Sequence, residues 1–467
     1  MDWDAAAWAL SEYGQAELGH AARTKRLVRV ATELISSPGA SVPKAISDPH
    51  QSKAAYRLFS NPHVNHDALL SGHVRRTAER CSAHAEVLVL QDTTTLKFHS
   101  RRGAFGLGPV NDMAETRGFL AHTSLAVVRR TRDVLGVLHQ HVWVRDATKK
   151  SRKETGAQRK KRKRESEHWA GNQRAVAEQM RQASKAERPG CRIIAVFDRE
   201  GDIFEAIEEL KQLGHSYIIR AMRNRLLDTD DDERHYSLDE VAKAPVVGHK
   251  FVELRARAGR PARTAKLELR AMGAMLRPPV NRGRKGDSVA VNLVLAREID
   301  TPAGIEPLCW YLVTDEAIET AQQVVQITDD YAARWIIEEF HMGLKTGCAC
   351  EDRQMETAHA LMNFLAVATP MACQLLRLRD AARQDIPAEN LDVLTPRQLI
   401  VLRGMRPRMM AKVKTARELM RVLANLGGFL NRNPDPDPGW RTLWRGFETL
   451  LVAEAGYAVA ATRSGDS

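Results

Sequence analysis

The sequence predicts an α/β fold, with a β-rich insertion in its core and α-helical segments on both flanks. Three observations carry that expectation. Two continuous apolar runs, Val87-Leu88-Val89-Leu90 and Ile193-Ile194-Ala195-Val196-Phe197, each lead to an aspartate, as buried strands do when they place a polar residue at the rim of a sheet. From about residue 225 to about 325, apolar and polar residues alternate, with Gly, Pro and Arg at the turns, in the manner of exposed antiparallel strands. Both ends of the chain repeat at helical spacing instead.

Residues 1–75 read as helical. In AARTKRLVRVATELI, Leu27, Val30, Ala31 and Leu34 share one face, while Arg23, Lys25, Arg26 and Arg29 surround the rest. Ser47-Asp48-Pro49 starts a further helix and Asn61-Pro62 stops it, with Lys53 and Arg57 between. These cations suit a solvated bundle or a phosphate-contacting surface equally; Arg23, Arg26 and Arg57 are the candidates for DNA contact.

EVLVLQD is the first strand and is expected to end at Asp92. HTSLAVVRR and DVLGVLHQHVWVRD pair as a hairpin through Thr131-Arg132-Asp133, and the run from Lys149 to Arg164 is a strongly basic loop. SEHWAGNQRAVAEQMRQA reads as a helix, and RIIAVFDRE as a buried strand ending at Asp198. DIFEAIEELKQLG is a helix with a glycine stop, and HSYIIRA is a strand carrying Arg220. Helical spacing returns from about residue 355. The expected units are 1–75, a core at 76–370 containing the insertion, and a helical 371–467.

With 70 Lys and Arg against 58 Asp and Glu, the chain has a formal charge of +12, which favours a polyanionic partner. The N-terminus MDWDAAAWAL lacks the apolar core of a signal peptide, and no uncharged apolar run is read as membrane-spanning, so no membrane partner is expected. The six cysteines show no CxxC…CxxC zinc pattern.

The chemistry is read from three acids. Asp92 and Asp198 follow buried strands, where polar sites form in open α/β sheets. Glu338 lies in YAARWIIEEFHMGLK, a stretch read as one helix. At about 100° per residue, Tyr331, Arg334, Glu338 and Lys345 fall within an arc of roughly 60°, and Ile336, Ile337, Phe340 and Leu344 lie roughly opposite. Three converging carboxylates repel one another unless cations bridge them, and oxygen ligands suit Mg²⁺ or Mn²⁺, two ions for phosphoryl transfer. The order strand-Asp92, two strands, helix, strand-Asp198, helix, strand, insertion, Glu338 is that of an RNase H-like nucleotidyl-transfer core.

With its Tyr331, Arg334, Glu338 and Lys345 spacing, the sequence resembles the bacterial DDE transposases of the IS-four insertion-sequence family, in the transposon-five-like branch, whose YREK signature it repeats. AYRLFSNP, QDTTTL, FDREGDI, PLCWYLVT and GGFLNRNPDPDPGWRTLWRGFETL extend the resemblance over nearly the whole chain. The resemblance implies Asp92, Asp198 and Glu338 as catalytic, metal-binding acids. It implies Tyr331, Arg334 and Lys345 as contacts to DNA beside the cleaved phosphate, Trp310 as a stacking platform for a flipped base, and Arg220 as a further phosphate contact. It also implies a cut-and-paste transposase in the bacterial cytoplasm, associated with the nucleoid, acting on transposon ends and target DNA through a hairpin intermediate and as a homodimer on DNA. The basic run from Lys149 to Arg164 is longer than that branch leads one to expect.

Overall fold

The computed structural model describes residues 4–98, 104–110, 116–145, 165–183, 190–254, 262–279, 287–383, 386–390, 394–432 and 437–464. The basic run from Lys149 to Arg164 lies outside them. The fold is mixed α/β, a large mixed sheet with helices on both flanks.

Five helices come first: α1 (Ala5–Tyr13), α2 (Ala21–Ile35), α3 (Val42–Ala45), α4 (Pro49–Phe59) and α5 (His66–Cys81). Helix α2 buries Leu27, Val30, Ala31 and Leu34, the face its spacing indicated. In α4, Asp48 caps the start by accepting the His50 N–H, and Pro49 fills the first turn, where a missing N–H costs nothing.

The strands are β1 (Glu86–Phe98), β2 (Gly108–Pro109), β3 (Arg117–Val128), β4 (Val134–Trp143), β5 (Arg192–Phe197), β6 (Ser216–Arg220), β7 (Val246–Leu254), β8 (Arg263–Leu276), β9 (Val289–Ile299) and β10 (Cys309–Thr314). They form one ten-stranded sheet in the order β2-β3-β1-β5-β6-β10-β9-β8-β7, with β4 also on β3. Strands β1, β5 and β6 are parallel neighbours, and β3 and β4 are antiparallel. The residue 225–325 region is therefore not a separate β lobe: β7, β8 and β9 extend the main sheet through β10.

Helices α6 (Glu165–Ala183), α7 (Phe204–Gln212) and α8 (Ser237–Lys243) lie between strands, and α9 (Ala321–Ala332) and α10 (Trp335–Met342) follow β10. Helix α11 (Ala358–Ala381) comes next, and α12 (Pro396–Met405), α13 (Pro407–Met410), α14 (Ala416–Leu426) and α15 (Trp440–Ser464) complete the chain. One core cluster joins side chains of α1, α2 and α4 to Leu88 and Leu90 of β1, to α11 and to the C-terminal helices. The opposite face of the sheet packs Ala195, Phe197, Tyr217 and Ile219 against Phe204, Ile207 and Leu210 of α7.

Four expectations are corrected. Strand β1 does not stop at Asp92; its antiparallel ladder with β3 continues to Phe98, and only the parallel pairing with β5 ends, at Gln91. Tyr331 to Lys345 is not one helix, for reasons given below. The boundaries at 75/76 and 370/371 fall inside α5 and α11, because both helices are buried against more than one part of the fold. Finally, α11 is long and apolar enough to cross a membrane by length and composition; 89% of its apolar window is buried inside the protein, where it serves as the central core helix.

Candidate active site

The site begins with strand periodicity. Alternate residues of a strand share a face, so Leu88, Leu90 and Asp92 project together from β1. The register pairs Gln91 with Phe197 and Phe197 with Ile219. The next step along the three parallel strands is Asp92, Asp198 and Arg220, on the same face as Leu90, Val196 and Ile218. Three neighbouring strands thus exchange apolar for charged residues at one level, where the parallel pairing of β1 with β5 ends and open α/β sheets form crevices. Asp198 lies just past β5, and its Oδ1 accepts the Glu200 N–H at 2.8 Å.

Glu338 arrives from α10. The chain from α9 to α10 tightens: the amides of Arg334, Ile336 and Ile337 bond to carbonyls three residues back, at 3.0, 2.9 and 3.1 Å. Beyond Met342 it loosens into a π-turn over Gly343–Gly347, with Cys348 N bonded to Gly343 O at 2.8 Å. Close packing accounts for the second irregularity. Gly343 lies against Ala372 of α11, and a Cβ on Gly347 would stand 2.4 Å from Leu375 Cδ1.

The polar stripe nevertheless holds. Arg334 Nη2 donates to Glu338 Oε1 at 3.1 Å, and Arg334 Nη1 lies 3.6 Å from Asp92 Oδ2. Tyr331 is buried; burial pushes its phenol up, and the guanidiniums of Arg220 and Arg334 oppose that shift. Its ring meets Trp310 edge-on, with centroids 5.2 Å apart, and Arg220 also donates to Cys309 O at 3.1 Å. Burial lowers the Lys345 ammonium, which has Glu351, Glu338 and Asp92 as acidic neighbours and Lys97 as a basic one.

Asp92 is the most perturbed of the acids. Burial, then the charge of Asp198, pushes its carboxyl up to about 7; Glu338 adds to the rise, while Arg334 and the Thr93 N–H oppose it. Crowded carboxylates with one guanidinium between them form an under-neutralised cluster.

Sequence reasoning missed His341. One ligating atom each from Asp92, Glu338 and His341 lie within 4.8 Å of one another. His341 is buried, its Nδ1 is 3.9 Å from Asp92 Oδ2, and its Nε2 has no hydrogen-bond partner. The signal was present: Glu338 and His341 stand three apart on a helix, the spacing with which carboxylate and imidazole ligands share a face.

The N-terminal cations sit on other elements. Arg23 and Arg26 are half-buried on α2, Arg23 donating to Leu18 O at 2.9 Å, and Arg57 is exposed on α4. Residues 5–64, which hold all three, match a family model described as transposase DNA-binding. Among solved structures, the cryo-EM structure of the piggyBac transposase synaptic complex with hairpin DNA is similar at a TM-score of 0.34 and 10% identity, covering 96% of this chain and 75% of that one. The matched residues comprise α1 to α4 and pack into the same core as α11, which follows the acid-bearing helix in the chain.

Proposed function

We propose that this chain is a cut-and-paste DNA transposase with an RNase H-like core, of the insertion-sequence type that carries the YREK signature. The observation that supports it most is the approach of Asp92 and Glu338, from a strand and a distant helix, to within 4.8 Å beside Asp198. The transposase DNA-binding match in the same chain supplies the substrate class.

The donor set fits hard divalent cations: two facing carboxylates, a third acid adding negative charge, and an Asp92 carboxyl pushed up to about 7 by burial and then by Asp198. Asp92, Asp198 and Glu338 would hold Mg²⁺ or Mn²⁺, two ions in all, and these would supply Lewis-acid stabilisation of charge on the phosphate oxygens. Arg334 is the group that neutralises Asp92 and Glu338 in the arrangement described here. With those acids otherwise neutralised, its guanidinium is available to a non-bridging phosphate oxygen, alongside Arg220, the Tyr331 hydroxyl and Lys345.

End cleavage, hairpin closure on the transposon end, hairpin opening and joining to target DNA are all in-line displacements at phosphorus, so one phosphate cradle serves each step. Trp310, half-exposed and braced by Tyr331, offers a face for an extruded base. Two transposon ends held together require two copies of the chain on DNA.

The test incubates the purified protein with Mg²⁺ and duplexes bearing the ends of its own element. Nicks, hairpins and joined products are expected, and Asp92→Ala, Asp198→Ala and Glu338→Ala should each reduce them by about 10³-fold or more. Cleavage that persists in these variants overturns the assignment of the acids. Cut ends that never join target DNA would make the chain a metal-dependent nuclease instead.

A further inference from the structure

The feature this reading leaves unused is the imidazole of His341. It is held on α10 one helical turn beyond Glu338, so both side chains leave the same face of the helix. It is 5% exposed, yet neither ring nitrogen has a hydrogen bond to a described residue: Nδ1 faces Asp92 Oδ2 at 3.9 Å, and Nε2 is buried without a partner. Nδ1 thus stands among the carboxylate oxygens of Asp92 and Glu338 with no hydrogen bond to hold it, where a cation between those acids would reach it.

We infer that His341 is the third protein ligand, through Nδ1, of the ion held by Asp92 and Glu338, and that this site is a mixed nitrogen–oxygen site that prefers Mn²⁺ to Mg²⁺. The inference rests on the acid-site reading above and adds a ligand to it. Donors of an octahedral ion lie about 2.1 Å from it and hence about 3 Å apart when adjacent. The three donors, within 4.8 Å of one another, are near that spacing. Mg²⁺ takes oxygen donors and keeps its waters, whereas Mn²⁺ accepts an imidazole more readily. Arg334 occupies the Asp92–Glu338 gap here and must swing away for either ion.

The experiment titrates the full chain with Mn²⁺ alone, following free ion by electron paramagnetic resonance, and records spin-echo modulation of the bound ion. Modulation from a directly bound nitrogen is expected, changing when the protein is made with isotope-labelled histidine; this needs no variant and so does not depend on one folding. His341→Gln should abolish the modulation and weaken Mn²⁺ binding by about tenfold or more, with Mg²⁺ binding, read by competition, changed much less. Bound Mn²⁺ that is lost in Asp92→Asn but shows no nitrogen modulation overturns the role of His341 and leaves the acid site standing. Mn²⁺ binding indifferent to both Asp92→Asn and Glu338→Gln removes the acid site itself, and this inference with it.

Discussion

The start and the middle of strand β1 hold charge in opposite ways. At its start, Glu86, Glu316 and Asp330 meet Arg129, Arg132 and Arg192, one guanidinium for each carboxylate. Asp330 is fully buried and receives Arg129 at 2.7 Å, Arg132 at 2.8 Å and the Gln326 amide at 2.9 Å. At its middle, Asp92 and Glu338 flank Arg334, and burial, with the charge of Asp198 next, pushes the Asp92 carboxyl up to about 7. The first cluster is complete and binds strands to helix; in the second, Asp92 has one guanidinium at 3.6 Å and the charges of Asp198 and Glu338 against it. Burial alone does not distinguish a structural ion network from a site. The balance of charge does.

The largest test of that contrast is a pair of substitutions with opposite signs. Asp330→Ala removes the hub of the balanced network and leaves two guanidiniums partly buried, so denaturant unfolding should show a loss of about 3–5 kcal/mol. Asp92→Asn removes a charge that its surroundings disfavour, and the metal-free protein should gain about 2 kcal/mol. Equal losses for both would mean that the start and the middle of β1 are alike.

A second test uses pH. The Asp92 carboxyl titrates near 3.8 in an unfolded chain and at about 7 in the fold. Between those values the folded protein holds a proton that the unfolded chain has released. Its contribution to stability is therefore complete below about pH 4 and is lost as pH rises toward 7, at up to about 1.4 kcal/mol per pH unit. The stability gap between Asp92→Asn and the parent, measured without metal, should widen over that range. A constant gap would show that Asp92 is not strained.

Much of this site was legible, and the reason lies in period two. Leu88, Leu90, Asp92 and Ile194, Val196, Asp198 spell out a buried face that turns acidic at its rim. Thr94, Leu96 and Phe98 continue that face, so the longer β1 was also written in the sequence, masked by the polar run around it. The π-turn was not legible, since it goes with the packing of Gly343 and Gly347 on α11, and no residue in the stretch signals the tightening between α9 and α10. Nor does the dipeptide Glu338-Glu339 say which acid faces the site. The fold separates them: Glu339 pairs with the buried Arg379 of α11, and Glu338 turns to Asp92.

The smallest effect concerns Tyr331, which stands between the two kinds of charge, one residue after Asp330 and in reach of Arg220 and Arg334. Tyr331→Phe keeps the ring that braces Trp310 and removes only the hydroxyl. If the hydroxyl is structural, as its neighbour Asp330 is, unfolding should show a loss of about 1 kcal/mol with cleavage unchanged. A phosphate contact predicts the reverse: stability within about 0.5 kcal/mol of the parent and end cleavage slower by about tenfold, a single hydrogen bond to a charged oxygen. The second outcome is expected, because Arg220 and Arg334 each keep other polar partners, Cys309 O and Glu338, when the hydroxyl is gone.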